Sequence, residues 1–567
     1  MLSLPPTFLC DFYKVSHRIQ YPIGTQYVYS TWTPRNSLLK GVNEVVAFGF
    51  QAFVKNYLID FFNNNFFNRP LGTIVEEYAR VIKHCLGESD PDCTHIIALW
   101  MLNYLPIRIK AVDEGTKVSL RVPMLTIENT LPEFFWLTNY LETLMSCELW
   151  LPATSATIAY EYRKILDRWA ESTGSDPEFV QFQGHDFSMR GMGCVQSAAA
   201  SGAGHLLSFV GTDTIPAINY HEHFYGADIE KELIGCSVPA TEHAVMSAGG
   251  ADNEFGTYHR LITEVYPTGI VSIVSDTWDL WHVLTTIIPL LKADILARDG
   301  KVVIRPDSGD PVDIICGEDM ATYEGDISDF LESVHDSLYD KVSSGTALGK
   351  CGPDSITTMF RNEGKVYEVE AKFTWTRFDK RFYYLGGSSI GTPVEVKLAP
   401  AQQGVIEILW DIFGGTVNEQ GYKVLDPRIG AIYGDSITRD RCAAICSRLA
   451  SKGFASSNVV FGVGSYTYQY NTRDTFGFAL KATHVVIGGV EHNIFKDPVT
   501  DSGMKKSQTG RVAVVNDGDG ARVIDGLSIA EELTITASGT NLLTEVFCDG
   551  TLTKETTLAE IRQLLRA

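Results

Sequence analysis

The sequence lacks long apolar runs and paired cysteine motifs. Its most apolar stretch, residues 283–291, stops at Lys292, and a membrane-spanning helix needs roughly 20 apolar residues. The N-terminal segment has neither a basic start nor a long apolar run, so we expect no signal peptide. The 11 cysteines form no CxxC pair, which favours reduced core thiols in a cytoplasmic protein, although Cys442 and Cys446 could share a helix face. We therefore expect a cytoplasmic chain without a membrane partner.

Positive charge is scarce as well. The chain has 47 Lys and Arg against 69 Asp and Glu, a net charge of −22. Such an acidic chain repels phosphate backbones, so we expect no nucleic-acid partner, but a local basic pocket could still hold a small anionic substrate. With 29 Phe, 24 Tyr and 9 Trp, the chain can bury a large core, which excludes disorder as its main state.

Short β-branched or aromatic runs recur after residue 174, and each ends in polar residues or glycine. Their ends are Asp213, Asp276, Arg305 with Asp307, Gly434 with Asp435, and Gly464. Alternation with helices predicts parallel βαβ units, and a closed barrel of such units would bring all these ends to one face. The alternative is that each acid only caps a helix or a turn.

Apolar spacing predicts two helices in the first third of the chain. One covers about residues 154–173 and stops at Gly174, a natural C-terminal residue. The other lies in the aromatic stretch 48–67, where three asparagines at residues 63–65 should weaken or end it.

A long gap separates two of these strand ends. It contains a helix pattern at residues 328–338 and a strand-rich part, so we predict an inserted subdomain with a β-hairpin at about residues 318–404. Closer to the C-terminus, DGDG at residues 517–520 predicts a hairpin turn. Thr557 followed by Glu560 predicts a helix with a capping box.

A glycine loop and a histidine could carry chemistry. FGVGS, residues 461–465, follows a strand, and its backbone N–H groups could approach a phosphate closely. His243, next to Glu242, could accept a phosphoryl group or a proton, although a lone histidine is more often structural. A local run of cations follows the loop, for which a solvated surface is the alternative: Arg473, Lys481, Lys496, Lys505 and Lys506.

Longer motifs occur in one order along the chain. They are DFYKVSHRIQYPIGTQYVYS, HDFSMRG, GTDT, SVPATEH, IVSDTWD, IRPDSGDP, YGDS, FGVGS with TRD, and NIFKDPVTDSGMKKSQTGR. Together they resemble the nicotinamide phosphoribosyltransferases, of the type II phosphoribosyltransferase family. The resemblance extends from about residue 11 to the C-terminus, apart from the insertion.

The resemblance implies an α/β fold in which an irregular TIM-like α/β barrel accompanies a second α+β domain formed by the N- and C-terminal segments. We place the α+β domain at residues 1–150 and 485–567, and the barrel with its insertion at residues 151–484. The implied reaction joins nicotinamide to 5-phosphoribosyl-1-pyrophosphate (PRPP), giving nicotinamide mononucleotide and pyrophosphate. The implied assembly is a homodimer with each active site at the interface.

The resemblance also implies residues that bind the base. Phe187 and the partner subunit's Tyr13 would stack on the pyridine ring, which gains positive charge as the new bond forms. Asp213 would accept the amide N–H of nicotinamide and repel the carboxylate of nicotinate. Arg190 would donate to the amide carbonyl or to the ribose phosphate.

Other residues would hold the phosphorylated sugar. Arg305 and Asp307 would bind phosphate and ribose hydroxyls, and Asp276 would place the ribose or bind Mg²⁺ through water. Gly434, Asp435, Gly464 and Ser465 would contact the ribose and its 5′-phosphate, although the family has a glycine where Ser465 stands. The pyrophosphate-side cations would be Arg35, Arg473, Lys481, Lys496 and Lys505, or Lys506 in place of the last. Mg²⁺ would bind the pyrophosphate without a direct protein ligand.

His243 matches the phosphohistidine of the family. ATP would phosphorylate it as a coupling substrate, and the added charge would order the pyrophosphate and Mg²⁺ site. The transition state of the sugar transfer should resemble an oxocarbenium ion. We therefore expect electrostatic stabilisation by His243, Asp213, Asp276, Arg305 and Asp307 rather than a protein nucleophile.

Three alternatives stay open on the sequence alone. A nicotinate phosphoribosyltransferase shares the chemistry, but Asp213 argues against it. A barrel glycoside hydrolase with paired carboxylates would explain the strand-end acids but not the cations or the glycine loop. A non-catalytic module could keep only the base pocket, which the presence of Arg305, Asp307 and His243 makes a weaker interpretation.

Overall fold

A computed structural model describes residues 5–323, 352–362, 365–378, 381–434, 436–497, 500, 506–518 and 520–567. Two compact units form. The first comprises Met1–Lys164, Val180–Ser237 and Gly462–Ala567, and the second comprises Ile165–Phe179 and Val238–Phe461. The first unit joins both ends of the chain and also includes residues 151–164, 180–237 and 462–484, which the predicted domain boundaries assign to the barrel.

The strands, in chain order, are β1 (Thr25–Thr33), β2 (Glu44–Val46), β3 (Ile107–Ala111), β4 (Lys117–Ser119), β5 (Leu125–Asn129), β6 (Gly184–Asp186), β7 (Gly211–Thr212), β8 (Thr268–Val274), β9 (Asp299–Arg305), β10 (Ala321–Tyr323), β11 (Gly352–Asn362), β12 (Lys365–Phe378), β13 (Arg381–Ile390), β14 (Val394–Glu395), β15 (Gly415–Val417), β16 (Lys423–Leu425), β17 (Ile429–Tyr433), β18 (Val459–Val463), β19 (Ala479–Ile487), β20 (Val490–Asn493), β21 (Arg511–Asn516), β22 (Ala521–Leu527), β23 (Thr544–Cys548) and β24 (Thr551–Leu552).

The α-helical segments are His17–Gln20, Phe50–Phe53, Leu71–Cys85, Thr94–Leu102, Leu137–Tyr140, Glu142–Thr173, Val180–Gln183, Val195–His205, Ile215–Tyr225, His243–Gly249, Glu254–Arg260, Leu280–His282, Ile288–Leu290, Lys292–Ala297, Pro311–Cys316, Pro400–Gln403, Val405–Phe413, Arg439–Ser451, Ser465–Tyr468, Ile529–Ala537 and Leu558–Arg566. Wider π-type turns occur at Val54–Phe61, Asn63–Phe67, Leu261–Val265 and Val283–Ile287. None of the described helices has the length and apolarity that crossing a membrane requires.

An antiparallel sheet organises the first unit, with its strands in the order β20-β19-β1-β5-β3-β23-β24. Alternate residues of β3 are fully buried, because a strand turns successive side chains to opposite faces. Trp32 of β1 is fully buried and stacks on Phe478 with ring centroids 5.3 Å apart. This sheet therefore joins the N-terminal segment to the C-terminal segment.

Two predicted helix boundaries in this region are wrong. The helix predicted at residues 154–173 begins at Glu142 and continues through Pro152, while its predicted end at Gly174 is confirmed by a φ of +62° there. The asparagines at 63–65 do not end the aromatic helix, which runs on to Phe67. Burial of the phenylalanines in the core outweighs the low helix propensity of asparagine.

Parallel strands form the core of the second unit, in the order β8, β9, β17 and β18. The register pairs Val271 with Val302, and Tyr433 with Phe461. In the first unit, β6 and β7 are also parallel. The predicted parallel α/β architecture is confirmed, whereas closure of these strands into a barrel stays a prediction.

The predicted insertion contains a mixed sheet, in which β10 and β11 are parallel and the other neighbouring strands are antiparallel. Its strands follow the order β10-β11-β12-β13, with β14 pairing to β12, and β12 and β13 are antiparallel neighbours. The helix predicted at residues 328–338 lies outside the described residues. The C-terminal predictions are confirmed, since β21 and β22 pair across the DGDG turn and Thr557 forms a capping box with Glu560.

Candidate active site

The first group of predicted residues lies in the second unit, where β8 and β9 end. Asp276 Oδ2 accepts the backbone N–H of Asp307 at 3.0 Å and also the hydroxyl of Ser308. The N–H of Ser275 donates to the carbonyl of Arg305 at 2.9 Å. These bonds join the two strand ends and hold Asp276 where only 6% of its side chain is exposed.

The guanidinium of Arg305 belongs to the same group. Its Nη2 donates to the carbonyl of Thr241 at 2.6 Å, and its Nε lies 3.6 Å from Asp307 Oδ1. The side chain is 12% exposed, so its orientation is well restrained. A planar cation beside a carboxylate can bind a phosphate and a neighbouring ribose hydroxyl together.

His243 is the first residue of the helix His243–Gly249 and also joins this group. Its Nδ1 lies 3.1 Å from Thr277 Oγ1. Its Nε2 lies 3.9 Å from both Asp276 Oδ1 and Asp307 Oδ2. The side chain is 50% exposed, so the ring is oriented by its neighbours and still reachable from solvent, as transfer of a proton or a phosphoryl group requires.

Gly434 directly follows β17, at a position where a larger residue would collide with Asp307. A Cβ at this position would lie 2.1 Å from Asp307 Oδ1, a distance that forces the carboxylate to move. The sequence predicts Gly434 from its place after a strand, whereas its approach to Asp307 has no local signal. Its predicted neighbour Asp435 lies outside the described residues.

The second group lies in the first unit around Asp213, which directly follows β7. Asp213 Oδ1 accepts the hydroxyl of Ser237 at 2.6 Å and lies 2.9 Å from His185 Nε2. The backbone N–H of Asp213 donates to the carbonyl of Asp186 at 2.9 Å. Sequence reasoning missed His185 and Ser237 as functional residues, although they begin the quoted motifs HDFSMRG and SVPATEH.

Phe187 lies beside this carboxylate group. Its ring centroid is 4.5 Å from that of His185, with the planes inclined by 38°, and its N–H donates to the carbonyl of Val463 at 2.9 Å. Arg190 follows in the exposed turn Met189–Gly191. The structure therefore brings an aromatic ring and a hydrogen-bonding carboxylate into one neighbourhood, an arrangement that suits a flat heterocyclic amide.

The glycine loop packs against the turn that carries Arg190. A Cβ on Gly191 would lie 2.0 Å from Ser465 Oγ, so the two segments touch. Gly464 is extended and precedes the short helix Ser465–Tyr468. The predicted phosphate-loop residues thus lie near the base-binding residues of the same unit.

The predicted cations have different surroundings. Arg35 Nε donates to the carbonyl of Gly477 at 2.7 Å. Lys481 lies 3.4 Å from Glu142, and burial lowers its pKa. Arg473 is exposed and lies 3.4 Å from Asp474, while Lys506 lies 3.4 Å from Asp497. Lys496 is exposed, and Lys505 lies outside the described residues.

Tyr13, the residue predicted to stack on the base bound by the partner subunit, is 59% exposed.

The carboxylates of the second unit fit a Mg²⁺ ion bound to a phosphorylated substrate. Asp276 Oδ1 is buried and accepts no hydrogen bond from the described residues. Mg²⁺ commonly uses one or two carboxylates, water and substrate phosphates. In the part of the chain that the structure describes, no cluster of three or more His, Cys, Asp or Glu side chains could hold a metal by itself.

Comparison with known proteins identifies the family. The model of the nicotinate phosphoribosyltransferase (NAPRTase) family matches residues 182–345 and 368–551, and that of the nicotinamide phosphoribosyltransferase N-terminal domain matches residues 7–71. The chain therefore belongs to the nicotinate phosphoribosyltransferase family. It is a phosphoribosyltransferase, a pentosyltransferase of NAD biosynthesis.

The chain is also similar to individual proteins of known name. The nicotinamide phosphoribosyltransferase of Acinetobacter baylyi is 45% identical, covering 99% of this chain and 97% of the relative. The nicotinamide phosphoribosyltransferase of Mycoplasma pneumoniae is 33% identical, covering 88% and 94%. The solved structure of human nicotinic acid phosphoribosyltransferase is 14% identical with a TM-score of 0.46, covering 98% of this chain and 92% of that one.

Proposed function

We propose that this chain joins nicotinamide to PRPP, giving nicotinamide mononucleotide and pyrophosphate. The observation that carries the proposal is the group around Asp213, where His185 contacts both that carboxylate and the ring of Phe187 in a chain of this family. The near full-length similarity to relatives named nicotinamide phosphoribosyltransferase supports it.

The base is bound by aromatic faces and one hydrogen bond. Phe187 stacks on the pyridine ring, and Tyr13 of the partner subunit covers the opposite face of that ring in a homodimer. The ring becomes a cation when its nitrogen attacks the sugar, and aromatic faces stabilise that charge. Asp213 accepts the amide N–H, with its own position set by His185 and Ser237. Arg190 donates to the amide carbonyl or to the ribose phosphate.

The sugar is held by the group in the second unit. Arg305 and Asp307 bind phosphate and ribose hydroxyls, and Asp276 places the ribose. Because polar contacts hold Asp276 and Asp307 in place, their carboxylates stabilise a cationic sugar without reorganising. Further contacts to the ribose and its 5′-phosphate come from Gly434, Asp435, Gly464 and Ser465.

When pyrophosphate leaves, negative charge builds up on it and positive charge on the sugar, and nearby cations stabilise the leaving anion. Arg35, Arg473, Lys481, Lys496 and Lys505 or Lys506 hold the leaving group. Mg²⁺ bound to the pyrophosphate would neutralise its charge, and Asp276 would contact that ion through water. His243 accepts a phosphoryl group from ATP, which couples ATP hydrolysis to the transfer. The parallel strands close into an irregular barrel, both chain ends form the α+β domain, and the chain assembles into a cytoplasmic homodimer.

Nicotinate is the second substrate to consider, because the matching family model is named for it. Asp213 favours nicotinamide, since a carboxylate accepts the amide N–H and repels a carboxylate substrate. The glycoside hydrolase alternative is dropped, because the chain belongs to the nicotinate phosphoribosyltransferase family.

The test is turnover of the purified full chain with PRPP, Mg²⁺ and nicotinamide, in parallel with nicotinate. We expect nicotinamide mononucleotide and pyrophosphate in equal amounts, with nicotinamide preferred. Arg305→Ala, which removes a predicted phosphate contact, should abolish most turnover, while the exposed Arg522→Ala serves as a matched arginine control. Preference for nicotinate, or pyrophosphate release that ignores both bases, would overturn the proposal.

A further inference from the structure

Glu142, the first residue of the helix Glu142–Thr173, bridges two lysines from distant parts of the sequence. Its Oε2 pairs closely with Lys14 Nζ, and its Oε1 lies 3.4 Å from Lys481 Nζ. The exposed fractions are 4% for the Lys14 side chain and 18% for that of Glu142. Both carboxylate oxygens are therefore engaged by cations in a largely buried place.

One of these lysines holds the segment that carries Tyr13. Lys14 and Tyr13 belong to the same turn, Phe12–Ser16, and the ammonium of Lys14 is 5.3 Å from the Tyr13 ring centroid. A second tie anchors the start of this turn, because Thr143 Oγ1 accepts the N–H of Asp11 at 3.1 Å and donates to its carboxylate at 2.8 Å. The helix start thus fixes where Tyr13 is presented.

The other lysine belongs to the cations predicted for pyrophosphate. Burial lowers the pKa of Lys481, and the positive charges of Arg35 and Lys14 lower it further, while Glu142 opposes them. Glu142 also interacts electrostatically with His17 and Tyr21, which lie on the same N-terminal segment. The positive charges of Lys481, Lys14 and Arg35 repel one another. The carboxylate of Glu142 offsets this repulsion, so it keeps Lys481 charged and in place.

We propose that Glu142 is a positioning residue for phosphoribosyl transfer, fixing both the turn that presents Tyr13 and the ammonium of Lys481 that meets pyrophosphate. The inference deepens the proposed function and rests on it. Lys14 lies on the turn Phe12–Ser16 and Lys481 on β19, so Glu142 joins two segments that are far apart in the sequence. A single carboxylate therefore couples the base-stacking segment to the leaving-group site.

The test compares Glu142→Gln with Glu133→Gln, which removes one negative charge from an exposed position nine residues earlier, in the turn Pro132–Phe134. Calorimetry of the full chain with inorganic pyrophosphate and Mg²⁺ should show about tenfold or greater weakening for Glu142→Gln, as expected when one partner of a buried ion pair is lost. Glu133→Gln should stay within about twofold of the parent. KM for PRPP should rise in parallel, with a smaller change in kcat.

A pH profile separates positioning from a general loss of structure. Without the carboxylate, the pKa of Lys481 falls further, so the alkaline loss of pyrophosphate binding should move to lower pH in Glu142→Gln. Unchanged or tighter pyrophosphate binding with an unchanged pH profile would overturn the proposal, because it would mean that the carboxylate is neutral or competes with the anion.

Lys481→Met provides a second route if Glu142→Gln folds poorly, since it leaves the pair between Lys14 and Glu142 intact. It should also weaken pyrophosphate binding, and unchanged binding would overturn the proposal. Pyrophosphate binding does not depend on turnover. If Glu142→Gln weakens pyrophosphate binding but the unmodified chain does not use nicotinamide, the proposed function is refuted and this inference stands.

Discussion

Replacing Asp213 by Asn should reduce the preference for nicotinamide over nicotinate. The substitution keeps the shape of the side chain, and its amide oxygen can still accept from Ser237, which lies 2.6 Å from Asp213 Oδ1. What it removes is the negative charge that a nicotinate carboxylate would meet. Two charges about 4 Å apart at an effective dielectric constant of about 20 repel by about 4 kcal/mol.

Solvent reduces this repulsion, because the Asp213 side chain is 45% exposed. We take about 2 kcal/mol as the remaining penalty, which corresponds to about 30-fold in relative kcat/KM. The assay is kcat/KM for nicotinamide and nicotinate, each at saturating PRPP, for the parent and for Asp213→Asn. Their ratio should fall by about 30-fold in the variant.

The matched control is Ser237→Ala, which removes a hydrogen bond to Asp213 but keeps its charge. Both substrates should then be used less well, with their ratio preserved within about threefold, since a neutral hydrogen bond contributes about 1 kcal/mol. An unchanged ratio in Asp213→Asn, or an equal shift in Ser237→Ala, would refute the electrostatic account of selectivity.

Three further substitutions test separate parts of the molecule. Gly434→Ala puts a Cβ 2.1 Å from Asp307 Oδ1, so kcat/KM for PRPP should fall by about tenfold or more, and an unaltered value would show that Asp307 is not constrained there. His243→Gln should abolish the stimulation of turnover by ATP, and retained stimulation would exclude the phosphohistidine. Burial raises the pKa of Glu114 to about 6, above its unfolded value, so the folded state should lose about 2 kcal/mol as pH rises from about 4.5 to 6. Urea unfolding at several pH values should show this loss in the parent and not in Glu114→Gln; equal pH dependence would contradict it.

The strand ends of the second unit could be predicted because their signals are local. Runs of β-branched residues that stop at Asp276 and Arg305 mark buried parallel strands, and the carboxyl ends of such strands share one edge. The structure places those two residues, Asp307 and His243 in one polar group. The strand-end pattern was sufficient for Asp276, Arg305 and Asp307, whereas the place of His243 in this group followed from the resemblance to the family.

Contacts that depend on the register between distant segments could not be predicted. Neither His185 nor Ser237 carries a local sign that its side chain meets Asp213, since that meeting follows from how two loops pack. The helix start at Glu142 was missed for a related reason. Pro152 disfavours a helix interior locally, but the surrounding residues Leu149 and Ala153 are fully buried, and their packing stabilises the continuous helix.

A crystal structure of the full chain with nicotinamide mononucleotide measures the base site most directly. We predict that the pyridine ring lies against Phe187, with the amide nitrogen within hydrogen-bond distance of Asp213 and Tyr13 of the partner subunit on the opposite face. A mononucleotide whose ring touches neither Phe187 nor Asp213 would contradict the account.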